Sequence, residues 1–204
     1  MTATNAQSPL MTAIRTRQPK AVLFDLDGTL TNSDSENFLS LKAAWSLQSA
    51  ELKQDWLSSR TGLSAFDMAQ AWNADHGGSL DGHKIVADFI QESVQQAPTM
   101  RLFPDTFAAL KDLLPLMPIG IVTNNFRPIV TALSAQHPAL QRASVVVTAD
   151  DAGMRPKPFP DLYSAAQLAL DIPAQQCLAV EDSDQGLEAA DRAGMLTLDI
   201  RKFR

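Results

Sequence analysis

Along the chain, short apolar runs of strand length alternate with stretches in which apolar residues return every third or fourth position. The first run covers residues 21–24, and comparable runs lie at 118–123, 144–148, 176–181 and 195–200. The first is apolar on consecutive positions rather than alternate ones, the pattern of a strand covered on both faces. Helical spacing fills the intervals 104–114, 128–136, 160–170 and 186–193. Pro128 and Pro160 fall near two of the helix starts, where a missing N–H costs nothing, and Gly194 follows the last as a C-cap candidate. Strand and helix alternating across short turns predict an α/β fold, a doubly wound parallel sheet with helices on both faces.

One stretch breaks the alternation. Residues 35–99 show no strand pattern, and helical spacing recurs at Phe38, Leu41, Ala44, Trp45 and Leu47, then at Phe66, Ala69 and Trp72, then at Ile85, Phe89 and Ile90. Trp45, Trp56 and Trp72 all lie here and read as the core of a small bundle. Gly77-Gly78 and Asp81-Gly82 mark loops. The chain is therefore expected to divide into a tail at 1–19, an α/β core made of 20–34 and 100–204, and an all-helical insertion at 35–99. An insertion that follows the first strand so closely would sit over that strand's end as a cap. The tail is rich in Thr, Ala, Gln and Ser and lacks the apolar core of a signal peptide, so it is expected to be poorly ordered. Met11 is an alternative start to Met1.

Composition narrows the function. A net charge of −6 disfavours nonspecific binding to nucleic acid or to an anionic membrane. No window approaches the ~20 apolar residues of a membrane span. The one cysteine, Cys177, leaves no intramolecular disulfide and fits a reducing compartment; heading an apolar run, it reads as a small buried hydrophobe. These features together predict a cytoplasmic protein. His76, His83 and His137 lack metal-ligand spacing and are expected to be exposed and without function.

The strand ends carry the chemistry. The first run stops at Asp25-Leu26-Asp27-Gly28-Thr29, two carboxylates one residue apart followed by a glycine that permits a tight turn. Carboxylates at the C-terminal end of a parallel strand lie where open α/β sheets bind ligands, and two so close repel unless a cation or proton lies between them. The second strand ends in Thr123-Asn124-Asn125, whose hydroxyl and backbone N–H groups could hold phosphate oxygens or form an ordinary turn. After the third strand comes Arg155-Pro156-Lys157-Pro158, where flanking prolines would aim Lys157 in one direction, toward a phosphoryl group, a carboxylate or solvent. Arg155 is expected to face solvent. The fourth strand ends in Glu181-Asp182-Ser183, a second acidic pair. Oxygen ligands with no His or Cys nearby suit a hard cation such as Mg²⁺.

Asp25-x-Asp27-Gly28-Thr29, Thr123-Asn124, Lys157-Pro158 and Glu181-Asp182-Ser183-x-x-Gly186, in this order, resemble the four motifs of the haloacid dehalogenase superfamily. The stretch 180–190 with Ala193-Gly194-Met195 is similar to its branch of phosphoglycolate-phosphatase-like and beta-phosphoglucomutase-like proteins, and the helical insertion resembles that branch's cap. Two departures leave the acids and the lysine in place: Arg155-Pro156-Lys157-Pro158 stands where the family usually has Gly-Lys-Pro, and Pro104-Asp105 where it usually has Pro-Gly. The resemblance implies a phosphatase that hydrolyses a small phosphomonoester, a sugar phosphate or phosphorylated organic acid, through an aspartyl-phosphate.

In that scheme Asp25 is the nucleophile, and Asp27 protonates the leaving alcohol and then activates water. Mg²⁺ is held by Asp25, the carbonyl of Asp27 and Asp182, with Glu181 direct or through water. Lys157, Thr123 and the turn around Gly28, Thr29 and Asn124 bind the phosphoryl oxygens. Arg60, in a segment similar to the branch's specificity loop, is a substrate-contact candidate or solvates a helix end. The cap would open for substrate and close to exclude water, with hinges near 32–35 and 98–102. A sugar phosphomutase is the main alternative, disfavoured because Asn37 stands where mutases carry a cap histidine. A dehalogenase would not be expected to carry Asp27 and the Glu181-Asp182 pair. A non-enzymatic binding protein would tolerate loss of the acids, which are all present.

Overall fold

The computed structural model describes residues 8–60, 63–151 and 153–204. It opens with α1 (Pro9–Thr16), inside the segment expected to be a tail. Ser8 caps it by accepting the Met11 N–H, Pro9 occupies the first turn, and Leu10, Met11 and Ile14 are buried. The stripe is only three residues long and is stable because α6 and the C-terminal turn receive it. β1 (Ala21–Phe24) follows, then β2 (Thr31–Asn32).

The helical stretch comprises α2 (Asp34–Ser46), α3 (Gln54–Ser58), α4 (Ala65–His76) and α5 (Gly82–Gln96). β3 (Arg101–Leu102) then pairs antiparallel with β2, Thr31 opposite Leu102. This two-residue ladder is too short to leave a pattern in the sequence. After it come α6 (Pro104–Leu113), β4 (Ile119–Val122), α7 (Arg127–Gln136), β5 (Val145–Val147), α8 (Asp161–Leu170), β6 (Cys177–Glu181), α9 (Asp184–Arg192) and β7 (Leu196–Asp199). Each strand and helix expected in this half is present.

The chain forms two compact units. The first gathers the chain up to Asn32 with Arg101–Arg127 and His137–Arg204. It holds a five-stranded parallel sheet in the order β5-β4-β1-β6-β7. β1 is central, every residue of β1 and β4 is buried, and β6 is buried throughout. Leu23, Val122, Tyr163, Cys177, Ala179 and Ala190 belong to one core cluster, and α8 and α9 pack on the sheet. Gly120 has no Cβ because one would press into Leu23 and Val145. The strand order reverses beside β1, the arrangement that opens a crevice at the strand C-termini.

The second unit comprises Ser33–Met100 and Pro128–Gln136. Here α5 packs against α2 and α4, burying Leu41, Ala44, Trp45, Ala69, Ile85 and Phe89. Of the tryptophans only Trp45 is core; Trp56 and Trp72 are half-buried at the rim. Trp56 lies on a five-residue helix too short to submerge it, and its indole N–H donates to Asp75. Among the described residues no helix is long and apolar enough to cross a membrane.

Candidate active site

Three neighbouring strands build the site, two of them ending in acids and one in Thr123-Asn124-Asn125. β1 pairs with β4 on one side and β6 on the other, Phe24 opposite both Ile121 and Val180. The residues just beyond these partners, Asp25, Thr123 and Glu181-Asp182, therefore converge. Asp25 is buried. Its Oδ1 accepts the Lys157 ammonium at 2.6 Å, while its Oδ2 is buried with no hydrogen-bond partner. Burial pushes the Asp25 carboxyl well above the usual carboxylate range; Lys157 opposes that shift and Glu181 adds to it.

The turn after Asp25 is tied to the Leu26 carbonyl, which accepts the N–H groups of Leu30 and Thr31 and the Thr31 hydroxyl. Gly28 has φ +77°, and a Cβ there would lie 2.0 Å from Asp182 Oδ2. It is thus required both by its backbone and by the carboxylate against it. Thr29, fully buried, donates its hydroxyl to Asp182 Oδ1 at 3.4 Å. Gly28 and Thr29, expected among the substrate-binding residues, are therefore positioned against Asp182.

At the end of β4, Thr123 Oγ1 accepts the Asn125 N–H at 2.9 Å and lies 3.5 Å from Asp27 Oδ2. Asn125, which the sequence reading did not single out, donates from Nδ2 to that same Asp27 oxygen at 3.0 Å. Asn124 points elsewhere. Its Oδ1 accepts the Lys157 N–H at 2.8 Å and its Nδ2 donates to the Lys157 carbonyl at 3.3 Å. It clamps the lysine's backbone rather than presenting a free amide.

Lys157 is buried, and its ammonium donates to Asp25 Oδ1, to Glu181 Oε1 at 2.5 Å and to the Val122 carbonyl at 2.8 Å. Those three acceptors use its three hydrogens. Burial alone would lower its pKa, but the two carboxylates hold it above the ordinary lysine value. Arg155 points to solvent as expected, forked onto Asp161 and stacked on Phe159.

Glu181 is fully buried. Its Oε1 also accepts the Tyr163 hydroxyl at 2.6 Å, and Ser183 Oγ lies 3.3 Å from Oε2. Gly186 gives its carboxylate room, since a Cβ there would approach within 2.0 Å. Asp182 is half-buried, and burial together with Glu181 raises its pKa. Ligand atoms of Asp25, Glu181 and Asp182 all lie within 4.8 Å of one another. This all-oxygen set and the orphaned Asp25 Oδ2 fit a hard divalent cation. Of the three, Glu181 has donors on both oxygens and is the least available as a ligand.

Arg60 lies in the second unit, paired with Asp75, bonded to Ser59 Oγ and stacked on Trp56 at 4.2 Å. Thr61 and Gly62, part of its expected loop, lie outside the described residues. Besides Asn125 and Tyr163, the sequence reading missed Arg204, which donates to the Thr29 carbonyl at 3.2 Å and stacks on Phe103. Only Asn125 had a local signal, its place in Thr-Asn-Asn; the other two meet partners on other elements of the fold. Cys177 is buried and unpaired by any disulfide.

The family model for haloacid dehalogenase-like hydrolases matches residues 22–200. Validoxylamine A 7'-phosphate phosphatase of Streptomyces hygroscopicus subsp. limoneus is 32% identical over 191 residues, 89% of this chain and 85% of that protein. Fructose-1-phosphate phosphatase of Escherichia coli is 24% identical over 187 residues, 88% and 95% of the two chains. In fold the chain resembles CbbY from Rhodobacter sphaeroides in complex with phosphate, with TM-score 0.78, 23% identity, and 88% and 84% of the chains covered.

Proposed function

The chain belongs to the haloacid dehalogenase-like hydrolases and is a phosphatase of that family, and we propose that it hydrolyses a small phosphomonoester in two steps through Asp25. The observation that carries this reading is the state of the Asp25 carboxylate. One oxygen is fixed by Lys157, the other is buried and unpartnered, and Asp27 and Asp182 stand beside it on the same turn and the adjacent strand end.

In the first step an Asp25 oxygen bonds to phosphorus. The ester P–O bond breaks with its electron pair on the alcohol oxygen, and Asp27 supplies the proton. In the second, ionised Asp27 takes a proton from the water that attacks phosphorus, and the Asp25 O–P bond breaks. Phosphate leaves with both acids restored. Asn125 and Thr123 hold Asp27 for these transfers. Lys157 holds Asp25 and supplies positive charge beside the oxygens on which charge develops.

Mg²⁺ is the cation proposed, held by Asp25, the Asp27 carbonyl and Asp182. When bound it offsets the repulsion between these carboxylates and an anionic ester. The substrate class proposed is a sugar phosphate or phosphorylated organic acid, and the helical insertion would supply its specificity.

The test is phosphate release from a panel that includes fructose 1-phosphate and small phosphorylated acids, with Mg²⁺ or with EDTA. Release that needs the metal and ranks the panel is expected. A folded protein that releases phosphate from none of them would sink the reading.

A further inference from the structure

Tyr163 is a buried titratable side chain that the two steps above leave unused. It is the only tyrosine in the chain and lies fully buried on α8. Its hydroxyl donates to Glu181 Oε1 at 2.6 Å, and its ring lies 5.1 Å from the Lys157 ammonium. A carboxylate as enclosed as Glu181 needs donors in place of the water it has lost. Lys157 and Tyr163 meet on Oε1 and Ser183 approaches Oε2. Glu181 is in turn one of three acceptors that fix the Lys157 ammonium, and another of them is Asp25 Oδ1. Four side chains therefore form one file, from Tyr163 through Glu181 and Lys157 to Asp25.

We propose that Tyr163 is a positioning residue for phosphoryl transfer: its hydroxyl fixes Glu181 Oε1 and so holds Lys157 against Asp25. The inference rests on Asp25 being the nucleophile. It gives Glu181 the task of aiming Lys157, in keeping with the donors already on both its oxygens. Tyr163 acts through other residues and does not touch the reacting atoms. Losing its hydroxyl should therefore lower kcat with little change in KM. A buried hydrogen-bond partner that orients a working side chain from behind typically matters by about ten- to a hundredfold.

The test is Tyr163→Phe, which keeps the ring and its packing, beside Glu181→Gln and the double variant. The expected result is kcat down about ten- to a hundredfold, KM within about twofold, and Mg²⁺ affinity of the substrate-free protein by calorimetry within about threefold. The double variant should be no slower than Glu181→Gln alone, because the two changes break one file. Tyr163→Phe with wild-type kcat, or losses that multiply in the double variant, would overturn the proposal. A Mg²⁺ affinity that collapses in Tyr163→Phe would overturn it too, by making Glu181 a ligand. Wild-type turnover that Asp25→Asn does not abolish would bring down the parent reading with it, a result distinguishable from failure at Tyr163 alone.

Discussion

The sheet end and the helical insertion both have to satisfy charged and polar groups, and they do so over different distances along the chain. At the sheet end, Lys157 and Asp25 are 132 residues apart, Thr29 and Asp182 153, and Asn125 and Asp27 98. In the insertion, Arg60 and Asp75 are 15 apart, Asn73 and the Leu80 carbonyl 7, Ser64 and Asp67 3. The insertion's pairs lie near the surface, where water can share the load, and Asp67, Asp75 and Asp88 each meet a partner within twenty residues. At the sheet end two buried carboxylates share one buried ammonium, and an oxygen of Asp25 is left over. An uncompensated group is what chemistry requires, and parallel topology supplies it by bringing remote strand ends together.

Lys157→Ala should break this contrast most severely. It strands Asp25 and Glu181 together without their cation, and removing one partner of a buried pair costs about 3–5 kcal/mol. Urea melts should show a loss of that order, and phosphate release should vanish. Arg60→Ala, the exposed counterpart, is expected to cost no more than about 1 kcal/mol in the same melts. Equal losses would erase the distinction, and a raised KM in Arg60→Ala would assign Arg60 to substrate as well as to Asp75.

Gly28→Ala comes next. The new methyl, on a turn whose own backbone already needs positive φ at this position, would have to displace Asp182 at the end of β6, and displacement of about 1 Å can cost a hundredfold in rate. A variant that folds, binds Mg²⁺ normally and turns over at wild-type rate would contradict the placement of Asp182. For Asn125→Ala, loosening of Asp27 should lower kcat by about tenfold or more, part of the ~10²–10⁴ that a positioned acid–base group contributes. Asn124→Ala should instead act on Lys157 through its backbone, and in urea melts its loss combined with that of Lys157→Ala should not add.

The smallest effect concerns Asp151, whose carboxylate accepts both bonds from Arg127 Nη2 and the Thr148 N–H. Burial opposes the shift, but these donors lower its pKa below the ordinary value. A depressed folded pKa means the stability is present above the unfolded carboxylate value of about 3.9 and is lost as pH falls through the folded one. Asp151→Asn should therefore be less stable than wild type at pH 7, by about 1 kcal/mol or less given the pair's exposure. The gap should close as pH falls through the folded pKa; a gap that persists in acid, where the carboxyl is protonated in both states, would show that the carboxylate's charge is not its source.

The central strands β1, β4 and β6 were legible because strands buried on both faces are apolar almost without interruption, and the acids of β1 and β6 stand out at the abrupt ends. The rest was hidden for particular reasons. α1 buries only Leu10, Met11 and Ile14, too few to outweigh a polar surrounding, and it needs α6 to cover it. Asn124 and Asn125 are adjacent, but one faces the Lys157 backbone and the other Asp27; motif spacing names the pair without saying which points where. Tyr163 is an aromatic on an apolar helix face, and only the fold brings Glu181 to its hydroxyl. Trp72 carries the same helical spacing as Trp45 yet stays half-buried at the rim, as does Trp56, whose helix α3 is only a turn and a half long.

The central claim is that Asp25 carries the phosphoryl group. Its most direct test is the intact mass of the protein acid-quenched during turnover, with wild type beside Asp25→Asn. Wild type should gain the mass of one phosphoryl group, mapped to the peptide holding Asp25, while Asp25→Asn gains none and releases no phosphate. Phosphate release by Asp25→Asn at a rate near that of wild type would contradict the account.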